Sequence, residues 1–274
     1  MSGGRLGDGL AGLRRTALVL GYAFLYTPIV IIIVYSFNDS RLVTVWGGFS
    51  TRWYAALLDN DKILSAVALS LQIAAVSATL ATILGTAAAI ALQRGGRFPG
   101  RGALDSMMTS LLVVPDIVLG LAFLLLFVVM GAVIGWPAGR GVLTVTIAHT
   151  TLAIAYATLV VRAKLTGLDP DLLAAAADLG ETPLGVHRRV TLPLVAPALA
   201  VAWLLSFTLS LDDVVLASFV SGPGSSTLPM VVFSSVRLGL SPEINALATL
   251  LLAAVAVVTT TGAVWTLCRS KRQA

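Results

Sequence analysis

The chain has 274 residues, 18 of them Lys or Arg and 13 Asp or Glu, so that 11 % are charged and 57 % hydrophobic. Soluble domains carry about 25 % charged residues, and a mean hydropathy of +0.94 marks an integral membrane protein instead. These counts exclude a disordered chain, a collagen-like repeat and a disulfide-stapled secreted module. The net charge of +5 comes from basic residues that flank apolar runs and form no patch, so no nucleic-acid partner is expected. Cys268, His149 and His187 are too few for a Cys/His zinc cluster, and no metal site is expected either.

A helix needs roughly 20 apolar residues to cross a bilayer core about 30 Å thick. Six stretches meet that length: Thr16–Phe37, Leu64–Leu92, Leu104–Ile134, Val142–Val161, Leu194–Phe219 and Ile244–Cys268. The expected fold class is therefore all-α and membrane-integral, with six transmembrane helices in contact with lipid. The first stretch runs into Ser36-Phe37-Asn38-Asp39 without a small-x-small cleavage site and reads as a span, not a signal peptide. With six spans both termini share a side. That side collects thirteen basic residues, among them Arg14, Arg15, Arg94, Arg97, Arg101, Arg162, Arg188 and Arg189, against five on the other, Arg41, Arg52, Lys62, Arg140 and Arg237. The positive-inside rule places both termini in the cytoplasm.

The chain divides into an N-terminal part, 1–63, with the first span and an outer loop; a core, 64–268, with five spans; and a cytoplasmic tail, 269–274. In the outer loop Trp46, Trp53 and Tyr54 suit the membrane interface. The cytoplasmic connection 162–193 is not linker-like. Asp169-Pro170-Asp171 opens a helix, Leu172 to Leu179 continues it, and Gly180 ends it; Thr182-Pro183 starts a second, short amphipathic segment reaching Val190.

Enzyme chemistry is not expected. None of Lys62, Lys164 and Lys271 follows a glycine, so no phosphate-binding Gly-Lys-Ser/Thr exists, and neither histidine is expected to have a nucleophile and an acid arranged around it. Apart from His149 in the fourth span, the candidate ionisable groups in the spans are acids. Asp116 lies about 18 Å into the third span, and Asp212 and Asp213 about 27 Å into the fifth; Glu243 begins the sixth. None has a basic residue at i±3 or i±4. An intramembrane charge costs about 2.5–3.5 kcal/mol on insertion scales, which makes each a candidate for lining a substrate path. Structural readings stand beside that one: Pro115-Asp116 as a kink with an acid at a half-helix start, and Ser241-Pro242-Glu243 as N-cap, N1 proline and first-turn acid. Of Asp212 and Asp213, about 100° apart on a helix, one can cap or pair while the other faces a cavity. Unpaired carboxylates would replace the hydration of a cation and repel an anion.

Gly180 followed by Val190-Thr191-Leu192-Pro193-Leu194 resembles the "EAA" loop of bacterial ABC importer permeases, which docks on a cytoplasmic ATPase. Aligned on Gly180, the signature Glu-Ala-Ala positions hold Ala174, Ala175 and Ala176, and Asp171 lies one turn earlier. Ser210 to Val215, Ser221-Gly222-Pro223-Gly224, Thr227-Leu228-Pro229, Ser234 to Arg237 and Ser241 to Ala246, with Tyr35-Ser36-Phe37-Asn38 and Trp46–Tyr54, resemble the spermidine/putrescine permeases. The resemblance implies the type I importer fold and an ATPase-docking set of Asp171, Ala174, Ala175, Gly180, Leu192 and Pro193. It also implies a second permease subunit in a heterodimer, two ATPase subunits that bind the ATP and Mg, a periplasmic substrate-binding protein, and no cofactor in this chain. The expected function is a permease subunit of an ATP-driven polyamine importer in the inner membrane. The alternatives are an ABC permease for another cationic or small organic solute and a secondary cation transporter.

Overall fold

The computed structural model describes residues 3–42, 45–238 and 241–273. These residues are helical, apart from connections and one isolated bridge between Asn38 and Phe49. Six helices are long and apolar enough to cross a membrane: Arg14–Tyr35, Asp61–Arg94, Asp116–Ile134, Val142–Thr166, Pro183–Asp212 and Pro242–Gly262. The chain folds as two compact units, Met1–Leu64 with Ser234–Ala274, and Ser65–Phe233.

In the first unit α1 (Gly3–Tyr35) and the short α2 (Arg52–Leu58) pack on the last helix, Pro242–Gln273. The connection between α1 and α2 is organised by one amide. The Asn38 side-chain oxygen accepts from the N–H groups of Ser40 and Gly47, and its nitrogen donates to the carbonyl of Val45 at 2.7 Å. Trp53, expected at the membrane interface, is instead 8 % exposed and donates its indole N–H to the Asn38 carbonyl. A buried indole needs such a partner. Tyr54 is likewise tied in, its hydroxyl 2.7 Å from the Ser36 hydroxyl, while Trp46 stays exposed and meets Tyr35 edge-on.

The second unit holds α3 (Asp61–Arg94), α4 (Arg101–Val113), α5 (Asp116–Ile134), α6 (Val142–Thr166), α7 (Pro170–Asp178), α8 (Pro183–Val186), α9 (Leu192–Asp212), α10 (Val215–Val220) and most of α11 (Leu228–Leu238); the terminal helix is α12. One buried cluster joins Ile73 of α3, Leu119 and Phe127 of α5, Val145 and Ala148 of α6, and Leu216, Ala217 and Val220 of α10. A second joins Ala89 of α3, Val161 and Leu165 of α6, and Val195 and Ala202 of α9. The many alanines let these helices approach closely, the usual way to gain dispersion contacts where lipid is as apolar as leucine.

Two predicted spans are interrupted. The third, expected as one run over Leu104–Ile134, breaks into α4 and α5. Val114 and Pro115 take extended angles (ψ 128° and 140°), because proline disfavours helical geometry in the residue before it. The fifth, expected over Leu194–Phe219, ends at Asp212; Asp213 is extended (ψ 124°) and α10 starts afresh.

The 162–193 connection has α7 as its first helix. Asp169 accepts from the Asp171 N–H, Gly180 takes φ +86°, and Glu181 donates to the Ala176 carbonyl across it, a Schellman ending. The second segment does not stop at Val190 as expected. Thr182 caps it by accepting from the Gly185 N–H at 3.1 Å, and after α8 the chain makes a π-turn, His187–Thr191, and runs on as α9. Pro193 lacks an N–H and its ring crowds the preceding turn, and the wider i→i+5 turn beside it, with Leu192 donating to His187, carries the helix onward.

Candidate functional site

The centre of the second unit is α10, a six-residue helix set between α5 and α6. So short a helix is unstable alone, and side chains from elsewhere satisfy both its ends. At its start the Asp213 carboxylate accepts from the N–H groups of Leu216 at 3.1 Å and Ala217 at 2.7 Å. At its end the Thr144 hydroxyl of α6 donates to the Val220 carbonyl at 2.6 Å, and Arg140 Nη1 donates to the Phe219 carbonyl at 3.3 Å. Ser70 of α3 then caps the next helix, accepting from the Leu228 N–H at 2.7 Å.

Asp213 has a further partner. His149 of α6, 3 % exposed, places Nε2 at 3.2 Å from Asp213 Oδ2 and Nδ1 at 2.7 Å from the Ser210 hydroxyl in the last turn of α9. An ionised carboxylate only accepts, so Nε2 carries the donated proton and, in the neutral ring, Nδ1 accepts from Ser210. The expectation that neither histidine has a nucleophile and an acid beside it is corrected here: Ser210, His149 and Asp213 are in line. The adjoining cavity measures about 10 Å³, room for one water at most, and Asp213 is already held by two backbone N–H groups. The arrangement is a structural bridge and not a hydrolytic triad.

The remaining acids differ in setting. Asp212 and Asp116 are exposed in this chain, and Asp116, Asp213 and His149 all lie within electrostatic range of Asp212. Asp116 opens α5, against which α10 packs, and Asp212 closes α9 just before α10. Among the described residues no ion pair forms to Asp116 or Asp212. Glu243 belongs to the first unit. It accepts from the Asn60 amide at 2.8 Å, and its N–H points to the Ser241 hydroxyl, the arrangement expected of a first-turn acid behind a cap. In α9, Trp203 and Phe207 stack at 5.1 Å and Trp203 donates to Thr79 on α3.

Asp171, Ala174, Ala175, Gly180, Leu192 and Pro193 are all exposed. An open depression of about 710 Å³ lies between α7 and α8, and beside it Leu179 and Leu184 are 87 % and 77 % exposed. An ion pair of Arg189 with Glu181 crosses its floor.

The family described as the binding-protein-dependent transport system inner membrane component matches residues 81–267. The chain belongs to it. The permease is 57 % identical over 245 residues to the "Putrescine transport system permease protein PotI" of Escherichia coli (strain K12), covering 89 % of this chain and 87 % of that one. It is 43 % identical over 240 residues to the "Spermidine/putrescine transport system permease protein PotC" of the same strain, 88 % of each. Among solved structures, a permease of an importer of the acidic polysaccharide alginate aligns at a TM-score of 0.71 with 17 % identity, covering 95 % of this chain and 97 % of that one. The MetNI methionine transporter aligns at 0.57 with 17 % identity over 73 % and 92 %. The fold is thus that of ABC importer permeases, and the protein is a multi-pass transport subunit, not an enzyme.

The site residues that sequence reasoning missed are His149 in its bridging role, Ser210, Thr144 and Arg140. They lie 60 to 80 positions from their partners, as 61 for His149 and Ser210 and 79 for Arg140 and Phe219, so no local spacing announces them.

Proposed function

We propose that the permease carries polyamines, putrescine or spermidine, as one membrane subunit of an ATP-driven importer. The observation that carries this reading is the similarity along nearly the whole chain to putrescine and spermidine permeases. Residue chemistry supports it. Asp116 and Asp212 lie within electrostatic range of each other without a basic partner among the described residues, and flexible ammonium cations exchange hydration for such carboxylates. An anionic cargo would be repelled. Asp213 is engaged by two helix N–H groups, and Glu243, in the other unit, by Asn60.

In this reading the 162–193 connection faces the cytoplasm, with both termini on that side. It docks, through the surface around Asp171, Ala174, Ala175, Gly180, Leu192 and Pro193, on one of two ATPase subunits that hold ATP and Mg. The apolar tops of Leu179 and Leu184 beside a charged depression suit a protein contact. A second, different permease subunit completes the path, and a periplasmic binding protein delivers cargo in the inner membrane.

The test is uptake of labelled putrescine and spermidine by cells with and without this chain alongside its partner subunits, against competing amino acids and anions. Saturable polyamine uptake that depends on the chain is expected, with an ATPase co-purifying. Uptake of neither polyamine overturns the cargo, and an isolated permease that transports without an ATPase is a secondary transporter.

A further inference from the structure

The break between α9 and α10 is held from both sides by a single side chain. Ser210 belongs to the last turn of α9, Asp213 caps the first turn of α10, and His149 of α6 reaches both, at 2.7 and 3.2 Å. Asp212 sits between these two anchored residues, at the end of α9 and exposed. Its neighbour Asp213 has both oxygens occupied: Oδ1 by Leu216, and Oδ2 by Ala217 and His149. With three donors already on a buried carboxylate, an ammonium group could reach Asp213 only by dismantling the start of α10.

We propose that His149 is a positioning residue for cargo recognition: it bridges Ser210 and Asp213 across the α9–α10 break and so fixes the main chain that carries Asp212. The inference rests on the reading that Asp116 and Asp212 meet a polyamine. Within that reading it assigns unlike roles to two adjacent acids, Asp212 to cargo and Asp213 to the bridge. The bridge works with a neutral imidazole. Nε2 donates to the carboxylate, Nδ1 accepts from the serine, and no change of protonation is required. The small cavity beside the ring is lined by Asp213, Ser210 and the apolar Leu152, Ala153, Leu209 and Leu216, and Asp212 lies within electrostatic range of the ring.

The experiment is a double-mutant cycle read as apparent KM and maximal rate of putrescine uptake in cells carrying the whole importer, normalised to assembled complex. Asp212→Asn, a lost direct charge contact, should raise KM about tenfold or more with the maximal rate kept. His149→Phe should raise KM several-fold in the same manner. Asp213→Asn placed in the His149→Phe background should add less than about twofold, because both changes undo one bridge, whereas Asp212→Asn in that background should still add its own penalty. A normal KM in His149→Phe overturns the inference, as does an Asp213→Asn penalty that persists in full without His149, since Asp213 would then touch cargo directly. If His149→Phe does not assemble, Ser210→Ala, which removes only the hydroxyl on Nδ1, takes its place in the same cycle with the same two deciding outcomes. Normal kinetics in both Asp116→Asn and Asp212→Asn overturn the cation-path reading itself, a failure distinct from an impaired Asp212→Asn beside an unaffected His149 variant.

Discussion

Asp213 and Arg140 hold opposite ends of the same six-residue helix. The carboxylate takes the free N–H groups of Leu216 and Ala217, and the guanidinium reaches the Phe219 carbonyl. Each charge has the sign that the helix dipole favours at its end. A segment too short to be stable by propensity is thereby held at the point where α5, α6 and α9 meet, and the geometry of the acids depends on that hold.

Thr144→Val tests the hold without touching an acid. Thr144 is fully buried and its hydroxyl donates to Val220; valine keeps the shape and leaves that carbonyl unpaired, at about 1–3 kcal/mol. A lower melting temperature of the purified protein is expected, with Thr144→Ser near wild type. An unchanged melt in Thr144→Val would show that the end of α10 does not need its cap.

Gly222→Ala is expected to be more damaging than its size suggests. A Cβ there would lie 2.0 Å from the Arg140 carbonyl oxygen, a backbone atom that cannot rotate away. Overpacking of this kind costs about 1–3 kcal/mol or more, and it would pull the 140 and 222 segments apart. Gly21→Ala, where nothing lies within 4 Å, is the control. Equal yields and melting temperatures for the two would refute the close approach.

Asp116, Asp212 and Glu243 should separate under amide substitution. Asp212→Asn and Asp116→Asn are expected to reduce polyamine uptake about tenfold, the loss of a charge-assisted contact of about 1.5–3 kcal/mol. Glu243→Gln should transport nearly as wild type, since a neutral amide still pairs with Asn60. Uptake of labelled putrescine and spermidine per assembled complex decides the order, and three normal variants would make each of these acids structural.

Gly180→Asp is expected to leave the permease in the membrane while uncoupling ATP hydrolysis from uptake. Gly180 has φ +86° with open space around it, so the obstacle is the backbone angle and the added charge, not a clash. Left-handed geometry costs a residue with a Cβ about 1–2 kcal/mol, and asparagine at the same site should be milder. Wild-type uptake together with wild-type cargo-stimulated hydrolysis in Gly180→Asp would remove this loop from coupling.

The span count, the capped α7 with its glycine ending and the cap at Ser241 were legible because each rests on residues within a few positions of one another. The break at Pro115 was legible in part, since proline marks a kink without fixing how far the two halves separate. The break at Asp213 carries neither proline nor glycine; its only local sign is an aspartate three residues ahead of the N–H it accepts, a cap signature that the surrounding apolar run conceals. The partners of His149 lie outside its own span, at the end of α9 and just beyond it. Depth was the one clue: residues seven positions into α6 and at the end of α9 sit at similar heights when neighbouring spans run antiparallel, and α6 packs along α9. Register between helices comes from packing, which pattern alone does not supply.

The unbroken passage from α8 through the π-turn into α9 makes one rod of 30 residues, Pro183–Asp212. At helical rise it is about 45 Å long. One end is the depression beside Gly180, and the other is the carboxylate next to the bridged break. For a straight rod of that length, a tilt of about 5° at the foot displaces the far tip by about 4 Å. The main chain alone thus joins the exposed turn to the carboxylate, with no relay of side chains between them.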